Sequence, residues 1–286
     1  NLIVKKYTCN KQKYKIIKYN KENYNNLHYI DKLNYINLRS CILDKTDRLV
    51  VVSPEKSVDY YEFTKNNSIN DCYHEAFIDG IMINVFYDNV NNVWEIATRS
   101  TVGGNNYFYD DYTNSINAER FNIERYTCTF RNLFFETCNL KNFNLNELPK
   151  EFSYTFVLQH PLNRIVTPVA TPDIYLVRVI KIEQKNSTNY TVSKYNISNF
   201  YNKYFEIFSK SKLNFIKQQE FNPGDSFENV YKYFNEGNCD FYCVGVMIYN
   251  KSGLRTKIRN PKYNEVKLLR GNQPKLQYNY LCLKKE

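Results

Sequence analysis

The sequence predicts an α+β fold of mostly antiparallel sheets flanked by helices. Short runs of β-branched and aromatic residues recur along the 286 residues, and turn residues such as asparagine, aspartate and glycine separate them. Apolar residues at helical spacing occur between some of these runs. Because no regular strand-helix-strand repeat is present, we expect hairpin-connected strands with interspersed helices.

The predicted strands begin shortly after residue 39. Cys41–Leu43 and Leu49–Val52 flank a polar turn, and residues 74–88 and 93–100 flank an asparagine-rich turn, which is typical of hairpins. Four further strands are predicted over residues 153–159, 174–182, 241–249 and 254–259.

Helices are expected between and after these strands. Asp225 and Glu228 have the spacing of a capping box, and Gly237 could close the helix that follows them. Three more helices are predicted, within residues 117–139, 197–215 and 263–269.

Residues 1–38 are polar and rich in tyrosine, with little periodicity, so we expect an N-terminal segment that wraps the surface of one domain at 39–286. No run approaches the ~18 apolar residues that a membrane span requires, and we expect no membrane partner. The cysteines are scattered singly, as in cytosolic proteins, which predicts a cytoplasmic location.

The net charge of +10 favours anionic partners such as RNA, DNA or nucleotide phosphates. A soluble lysine-rich surface would give the same charge, so both interpretations stay open. The eight cysteines form no Cys-x-x-Cys pair, and only three histidines are present. We therefore expect no metal site of the zinc type.

Four segments carry a family resemblance by their order and spacing. They include Phe77-Ile78-Asp79-Gly80 at the start of the first and Lys257-Ile258-Arg259 in the last, and they cover residues 77–100, 156–166, 244–248 and 255–263. In this order they resemble the nucleotidyltransferase domain of ATP-dependent RNA ligases, especially the bacteriophage tRNA-repair type and related proteins of large DNA viruses. The resemblance implies the ligase adenylation fold, and a location in the host cytoplasm or virion if the protein is viral.

The chain departs from the family at the positions that carry the chemistry. The family has a lysine nucleophile where Phe77 stands, and carboxylates that hold the ribose and a divalent metal where Val157 and Val244 stand. Neither phenylalanine nor valine can attack a phosphate or supply a ligand atom to a metal ion. We therefore expect no catalytic residue in the family's positions, no metal and no cofactor.

The resemblance also implies that the phosphate-binding cations remain. The matching positions are Arg39, Lys56, Arg99, Lys257 and Arg259. The two-residue spacing of Lys257 and Arg259 places them on one face of a strand, where an anion between them would relieve their repulsion. A solvated edge strand would have the same pattern.

Four other residues are expected to shape the pocket. Asp79 and Gly80 form a turn signal next to the missing nucleophile. Asn163 and Arg164 follow a predicted central strand, where the arginine could contact phosphate or could brace backbone carbonyls.

These observations lead to a hypothesis with two alternatives. The leading hypothesis is a catalytically disabled RNA ligase-like protein that binds RNA, another nucleic acid or a nucleotide phosphate, within a larger viral assembly that has other subunits. One alternative is an active ligase that uses ATP and magnesium with a displaced lysine, either Lys56 or Lys257. The other is a protein-interaction or virion scaffold. The basic tail at 270–285 has interleaved aromatic residues, which suits either single-stranded RNA or simple packing.

Overall fold

The described part of the chain folds into three sheets, and helices pack against two of them. The computed structural model describes residues 2–107, 129–186, 189–236, 239–271 and Lys284. Strands β1 to β14 are Leu2–Cys9, Gln12–Tyr19, Cys41–Leu43, Leu49–Val52, Cys72–Ala76, Ile81–Asp88, Val93–Ala97, Phe152–Gln159, Asp173–Gln184, Tyr190–Tyr195, Asn214–Phe215, Gln219–Glu220, Gly245–Asn250 and Arg255–Arg259.

Helices α1 to α8 are Lys21–Asn25, Tyr29–Leu33, Tyr60–Lys65, Phe130–Leu140, Ile197–Lys203, Phe205–Phe208, Phe227–Asn235 and Pro261–Arg270. Short 3₁₀ turns occur at Ile36–Arg39, Ile69–Asp71, Leu145–Glu147 and Pro161–Asn163. Within the described ranges, no helix is long and apolar enough to cross a bilayer.

The central sheet has the strand order β10-β9-β8-β6-β7, and β11 pairs in parallel with β9. Ile83 and Val85 on β6 face the main core together with Phe134 of α4 and Phe200 of α5. Because side chains alternate along a strand, Met82 on β6 points to the opposite face. Helices therefore cover one face of this sheet and leave part of the other available to line a groove.

The other two sheets pack on that opposite side. In the first sheet, β1-β2-β3-β4, Ile16 and Ile42 pack against Phe86 of the central sheet. In the third sheet, β12-β5-β13-β14, Ile248 and Ile258 form a small core with residues of α3 and α7. The residues that alternate with these core residues face the other side of the third sheet, where they can line the groove.

The N-terminal residues differ from the expectation of an irregular wrapping segment. β1 and β2 form a hairpin in full register, and β2 pairs with β3. Half of the first sheet therefore comes from within residues 1–38, and Tyr19 at the end of β2 is buried.

Two other predicted elements are divided in the structure. The predicted strand 74–88 is two strands in different sheets, β5 and β6, which are separated at residues 77–80. The predicted helix 197–215 is α5 and α6 followed by the short strand β11. In addition, the strand predicted from residue 241 begins only at Gly245.

Most of the other predicted elements are confirmed, whereas β10, β12 and α1 to α3 were not predicted. The α+β class with mostly antiparallel strands is confirmed, and β3, β4, β8, β9, β14 and α8 lie within a few residues of their predicted bounds. The helix predicted within residues 117–139 is confirmed over its described part by α4, and residues 117–128 lie outside the described residues. Gly237, the predicted helix end, also lies outside them, as does most of the basic tail, for which RNA binding and simple packing were both left open.

Candidate functional site

A groove of about 730 Å³ lies between the central and third sheets. Its apolar wall includes Phe77, Val157 and Val244, the positions at which the family resemblance implies catalytic groups. Its basic wall contains all five predicted phosphate-binding residues, Arg39, Lys56, Arg99, Lys257 and Arg259. Residues separated by up to 220 positions in sequence are thus brought to one cavity.

Strand β14 supplies three of the groove's cations. Arg255, Lys257 and Arg259 line the cavity, while Thr256 and Ile258 are buried on the other face of the strand. The neighbouring strand approaches closely at Gly245, which has φ +131°. A Cβ atom there would lie 2.0 Å from the carbonyl oxygen of Ile258, so only glycine allows this pairing.

Lys56 follows a residue that is fixed by a buried ion network. The Glu55 carboxylate accepts hydrogen bonds from Arg178 of β9 and lies 2.5 Å from the Lys194 ammonium of β10. Arg255 donates to the Glu55 carbonyl oxygen. Burial would raise the pKa of Glu55, but the bonds and charges of Arg178 and Lys194 outweigh it and hold the pKa at about 2.

The Lys56 side chain lies against aromatic rings of the N-terminal region. Its ammonium is 4.2 Å from the ring centroid of Tyr24 and 5.8 Å from that of Tyr19. The backbone N–H of Lys56 donates to the Ile36 carbonyl at 3.0 Å. Burial, followed by the charge of Lys32 and other cations, lowers the pKa of Lys56.

The basic wall holds a concentration of positive charge. Burial and the charges of Arg259, Lys56, Arg39 and Arg255 lower the pKa of Lys257 to about 8. Burial and neighbouring arginines likewise lower the pKa of Arg39 to about 10. Such charge is destabilised unless an anion binds beside it.

Three arginines that line the groove have a buried guanidinium Nε to which no hydrogen-bond acceptor is assigned within the described chain. They are Arg99, Arg255 and Arg259. Arg99 lies in the turn after β7, where the Thr98 N–H donates to the Thr101 carbonyl at 2.9 Å. The Arg259 guanidinium lies over the Phe77 ring, 5.2 Å from its centroid. Unsatisfied buried donors in a cation cluster favour an anionic ligand.

Asp79 and Gly80 form the turn beneath Phe77. One carboxylate oxygen of Asp79 accepts the backbone N–H groups of Val166 and Thr167 at 3.0 Å, and the other accepts the Tyr263 hydroxyl at 2.7 Å. Gly80 has φ +156°, and a Cβ there would lie 2.5 Å from a backbone oxygen of β8. The turn therefore requires this Asp-Gly pair for its shape.

Asn163 and Arg164 lie beside the groove, and neither lines it. Asn163 is buried in a 3₁₀ turn, with its N–H donating to the His160 carbonyl at 2.9 Å, and Arg164 is exposed. The next residue, Ile165, does line the groove. The pair therefore affects the site only indirectly, by setting the backbone position of Ile165.

Sequence reasoning missed several residues that line the groove. Arg255 has the same two-residue spacing as the predicted pair on β14, so that pattern could have identified it. Lys267 lies one helical turn after Tyr263 on α8, and its ammonium is 5.6 Å from that ring. Tyr19 and Lys21 also line the groove, but no motif in the sequence marks them.

The donor set does not fit the divalent cation that the resemblance would imply. Among the described residues that line the groove, only Glu75 and Asp79 carry carboxylates, and both oxygens of Asp79 already accept hydrogen bonds. Burial raises the pKa of Glu75, which accepts a bond from Gln218 at 3.0 Å. Val157 and Val244 supply no ligand atoms.

Comparisons with known proteins bear on the fold. No family model matches the chain, and no curated protein matches it. Among solved structures, the chain is similar to a protein described as "Putative ATP-dependent DNA ligase" from Aquifex aeolicus. The TM-score is 0.51 with 12% sequence identity, and the match covers 91% of this chain and 60% of that chain. The fold is therefore of the ligase nucleotidyltransferase type, as the resemblance implied.

Proposed function

We propose that this protein is a ligase-type nucleotidyltransferase domain that has lost lysine adenylylation and binds a nucleic acid or nucleotide phosphate in its basic groove. The observation that carries the proposal is the charge arrangement of the groove. Five predicted cations and Arg255 line one cavity, while Phe77, Val157 and Val244 stand where the resemblance implies reactive and metal-binding groups.

The buried guanidinium atoms of Arg99 and Arg259 support an anionic ligand, because a phosphate would satisfy them with charge-assisted hydrogen bonds. The lowered pKa of Lys257 supports it also, since a bound anion would remove the repulsion that lowers it. Loss of an attacking group usually costs several orders of magnitude in rate. Ligand binding can persist after such a loss.

The finer parts of the proposal depend on the sequence resemblance. It favours RNA over DNA, a cytoplasmic or virion location, and a place within a larger viral assembly with other subunits. Under this proposal the domain recognises an RNA end or strand for partners that supply the chemistry.

A salt titration of single-stranded RNA binding tests the proposal. Each cation-phosphate contact contributes roughly 0.7 to the slope of log K against log salt for single strands. Combining Lys257→Ala with Arg259→Ala should weaken binding and reduce the slope by roughly 1.4. A matched pair of exposed lysines, Lys65→Ala with Lys210→Ala, should change little. Absence of salt dependence in the unsubstituted protein would favour the scaffold alternative.

A second candidate function is favoured by one observation, the pKa of Lys257 at about 8. At that value a substantial fraction of the amine is neutral near physiological pH and could act as a nucleophile. In this alternative, Nζ of Lys257 attacks the α-phosphorus of ATP, the bond to pyrophosphate breaks, and the amine loses a proton. The product would be a lysine-linked AMP at a displaced position.

Incubation with ATP labelled at the α-phosphate, with magnesium, separates the two candidates. The leading proposal expects no label on the denatured protein. A label that maps to Lys257 by peptide mass spectrometry, and that disappears in Lys257→Arg, would replace the leading proposal with the active alternative.

A further inference from the structure

A second cleft of about 700 Å³ adjoins the groove. It is formed by α1, α2, the loop before α3, the start of α3 and one residue of β14, and Lys56, Ser57 and Lys257 line both cavities. These three residues form a wall that the two cavities share, and the wall contains the ammonium groups of Lys56 and Lys257.

The second cleft differs from the groove in its chemistry. Tyr29 and Tyr60 provide aromatic surface, and Lys32 adds a cation at its edge. Asp59 and Glu62 also line it. One oxygen of Asp59 caps α3 by accepting the backbone N–H groups of Tyr61 and Glu62, so the candidate acceptors for a ligand are its other oxygen and the Glu62 carboxylate. Aromatic faces suit a nucleobase, and carboxylates suit amino or hydroxyl donors of a base or ribose, whereas mixed charge suits a phosphate less well.

The shared wall is rigidly built. Tyr24 is 4% exposed and packs on Tyr19 with ring centroids 4.6 Å apart. The ammonium groups of Lys56 and Lys32 lie 4.2 and 5.8 Å from the Tyr24 centroid. A phosphate held by Lys56 and Lys257 would thus have a fixed position between the two cavities.

We propose that the ligand is a single strand of at least two nucleotides, with one nucleoside in the groove, the adjoining nucleoside in the second cleft, and the phosphate between them at Lys56 and Lys257. This proposal rests on the proposed function, and it specifies the class of ligand that the groove binds. A duplex does not fit it, because paired bases cannot separate into two recessed cavities without unstacking.

Binding of three ligands tests the proposal: a 5′-phosphorylated mononucleotide, the 5′-phosphorylated dinucleotide, and dinucleotides that lack one base. The dinucleotide should bind about tenfold or more tightly than the mononucleotide, since it places a second base on an aromatic surface. The abasic analogues keep the backbone and its charge, and they should lose most of this gain.

A matched pair of variants tests whether the tighter binding of the dinucleotide comes from the second cleft. Lys32 and Lys65 each lie in the last turn of a short helix, but only Lys32 lines the cleft. Lys32→Glu should weaken dinucleotide binding several-fold more than mononucleotide binding, whereas Lys65→Glu should affect both ligands equally and slightly.

Equal affinities for the mononucleotide and dinucleotide, or equal effects of the two substitutions on dinucleotide binding, would overturn the second-cleft proposal alone. Failure of every ligand to bind would overturn the proposed function as well. The two failures are therefore distinguishable in one set of titrations.

Discussion

The guanidinium of Arg259 is stacked over the ring of Phe77, at 5.2 Å from the ring centroid. Phe77 stands where the family resemblance implies the lysine nucleophile, and Arg259 is one of the retained cations. The ring therefore does more than fill space, because its electron-rich face supports a positive charge that points toward the groove. A protonated lysine at position 77 would instead be repelled by Arg259.

Replacing Phe77 with leucine keeps an apolar side chain but removes the ring. We expect Phe77→Leu to lower affinity for a nucleotide about two- to fivefold, in line with a cation-ring contact of roughly 0.5–1 kcal/mol. Phe77→Tyr keeps the ring and serves as the control. Isothermal titration measures both, and unchanged affinity in the leucine variant would show that the contact has no role in binding.

Ligand affinity should depend on pH through Lys257. Its pKa of about 8 means that the ammonium loses its proton as pH rises through that value. A bound phosphate favours the charged form, so binding near pH 8.5 should take up a proton, and affinity should fall at higher pH. Calorimetry in two buffers of different ionisation enthalpy measures the uptake.

Lys257→Arg is the control for that experiment, because a guanidinium stays charged over this pH range. The variant should bind with little proton uptake and with a flatter pH dependence. Equal uptake in the two proteins would assign the proton to a group other than Lys257.

Nucleotide binding should not require a divalent cation. Among the described residues that line the groove, Asp79 and Glu75 carry the carboxylates: Asp79 already accepts hydrogen bonds, and burial raises the pKa of Glu75. The groove's cations can neutralise phosphate directly. Affinity in EDTA should therefore equal or exceed affinity in magnesium. Val157→Glu places an acid on the half-buried groove wall, and it should weaken binding in EDTA while magnesium restores part of it. Tighter binding of the unsubstituted protein in magnesium would contradict this expectation.

The Glu55 network should contribute strongly to stability. Glu55→Gln leaves the buried Arg178 without its charge partner, and we expect the free energy of unfolding to fall by about 3–5 kcal/mol at neutral pH. The pKa of Glu55 is about 2, below its ordinary 4.5, so its contribution is complete above pH 4.5 and is lost as pH falls toward 2.

Urea unfolding at several pH values measures this effect. The variant should show a shallower loss of stability between pH 4.5 and 2 than the unsubstituted protein. Glu183→Gln removes the acid of an exposed pair with Lys181 and should cause no resolvable change. Equal stability of Glu55→Gln and the unsubstituted protein would exclude a structural role for the network.

One part of the groove could be predicted from a local sequence pattern. Lys257 and Arg259 were placed together by the two-residue period of a strand, and β14 has that conformation with all its cations on one face. The expectation for Phe77, Val157, Val244 and the other cations came from the family resemblance, because no spacing rule connects these positions.

The N-terminal hairpin could not be predicted in the same way. Its turn residues, Asn10 and Lys11, both have positive φ values, 49° and 65°. Such turns usually contain glycine at the second position, and a lysine there gives no turn signal. Tyrosine and lysine also occupy both faces of β1 and β2, which hides the alternation of buried and exposed residues.

The Glu55 network was missed for a different reason. Its members come from positions 55, 178, 194 and 255, on segments that meet only when the central and third sheets pack together. No spacing rule connects such residues. The same holds for the second cleft, since α1 and α2 were not predicted and their contact with Lys56 depends on the first sheet.

Asp79 ties three segments of the chain together through Val166, Thr167 and Tyr263, and none of these bonds involves the residue at position 77. The backbone beneath the cavity is consequently held in place by bonds that do not depend on the side chain at position 77. A lineage that carries this scaffold could exchange catalysis for recognition by point substitutions alone, without remodelling its architecture.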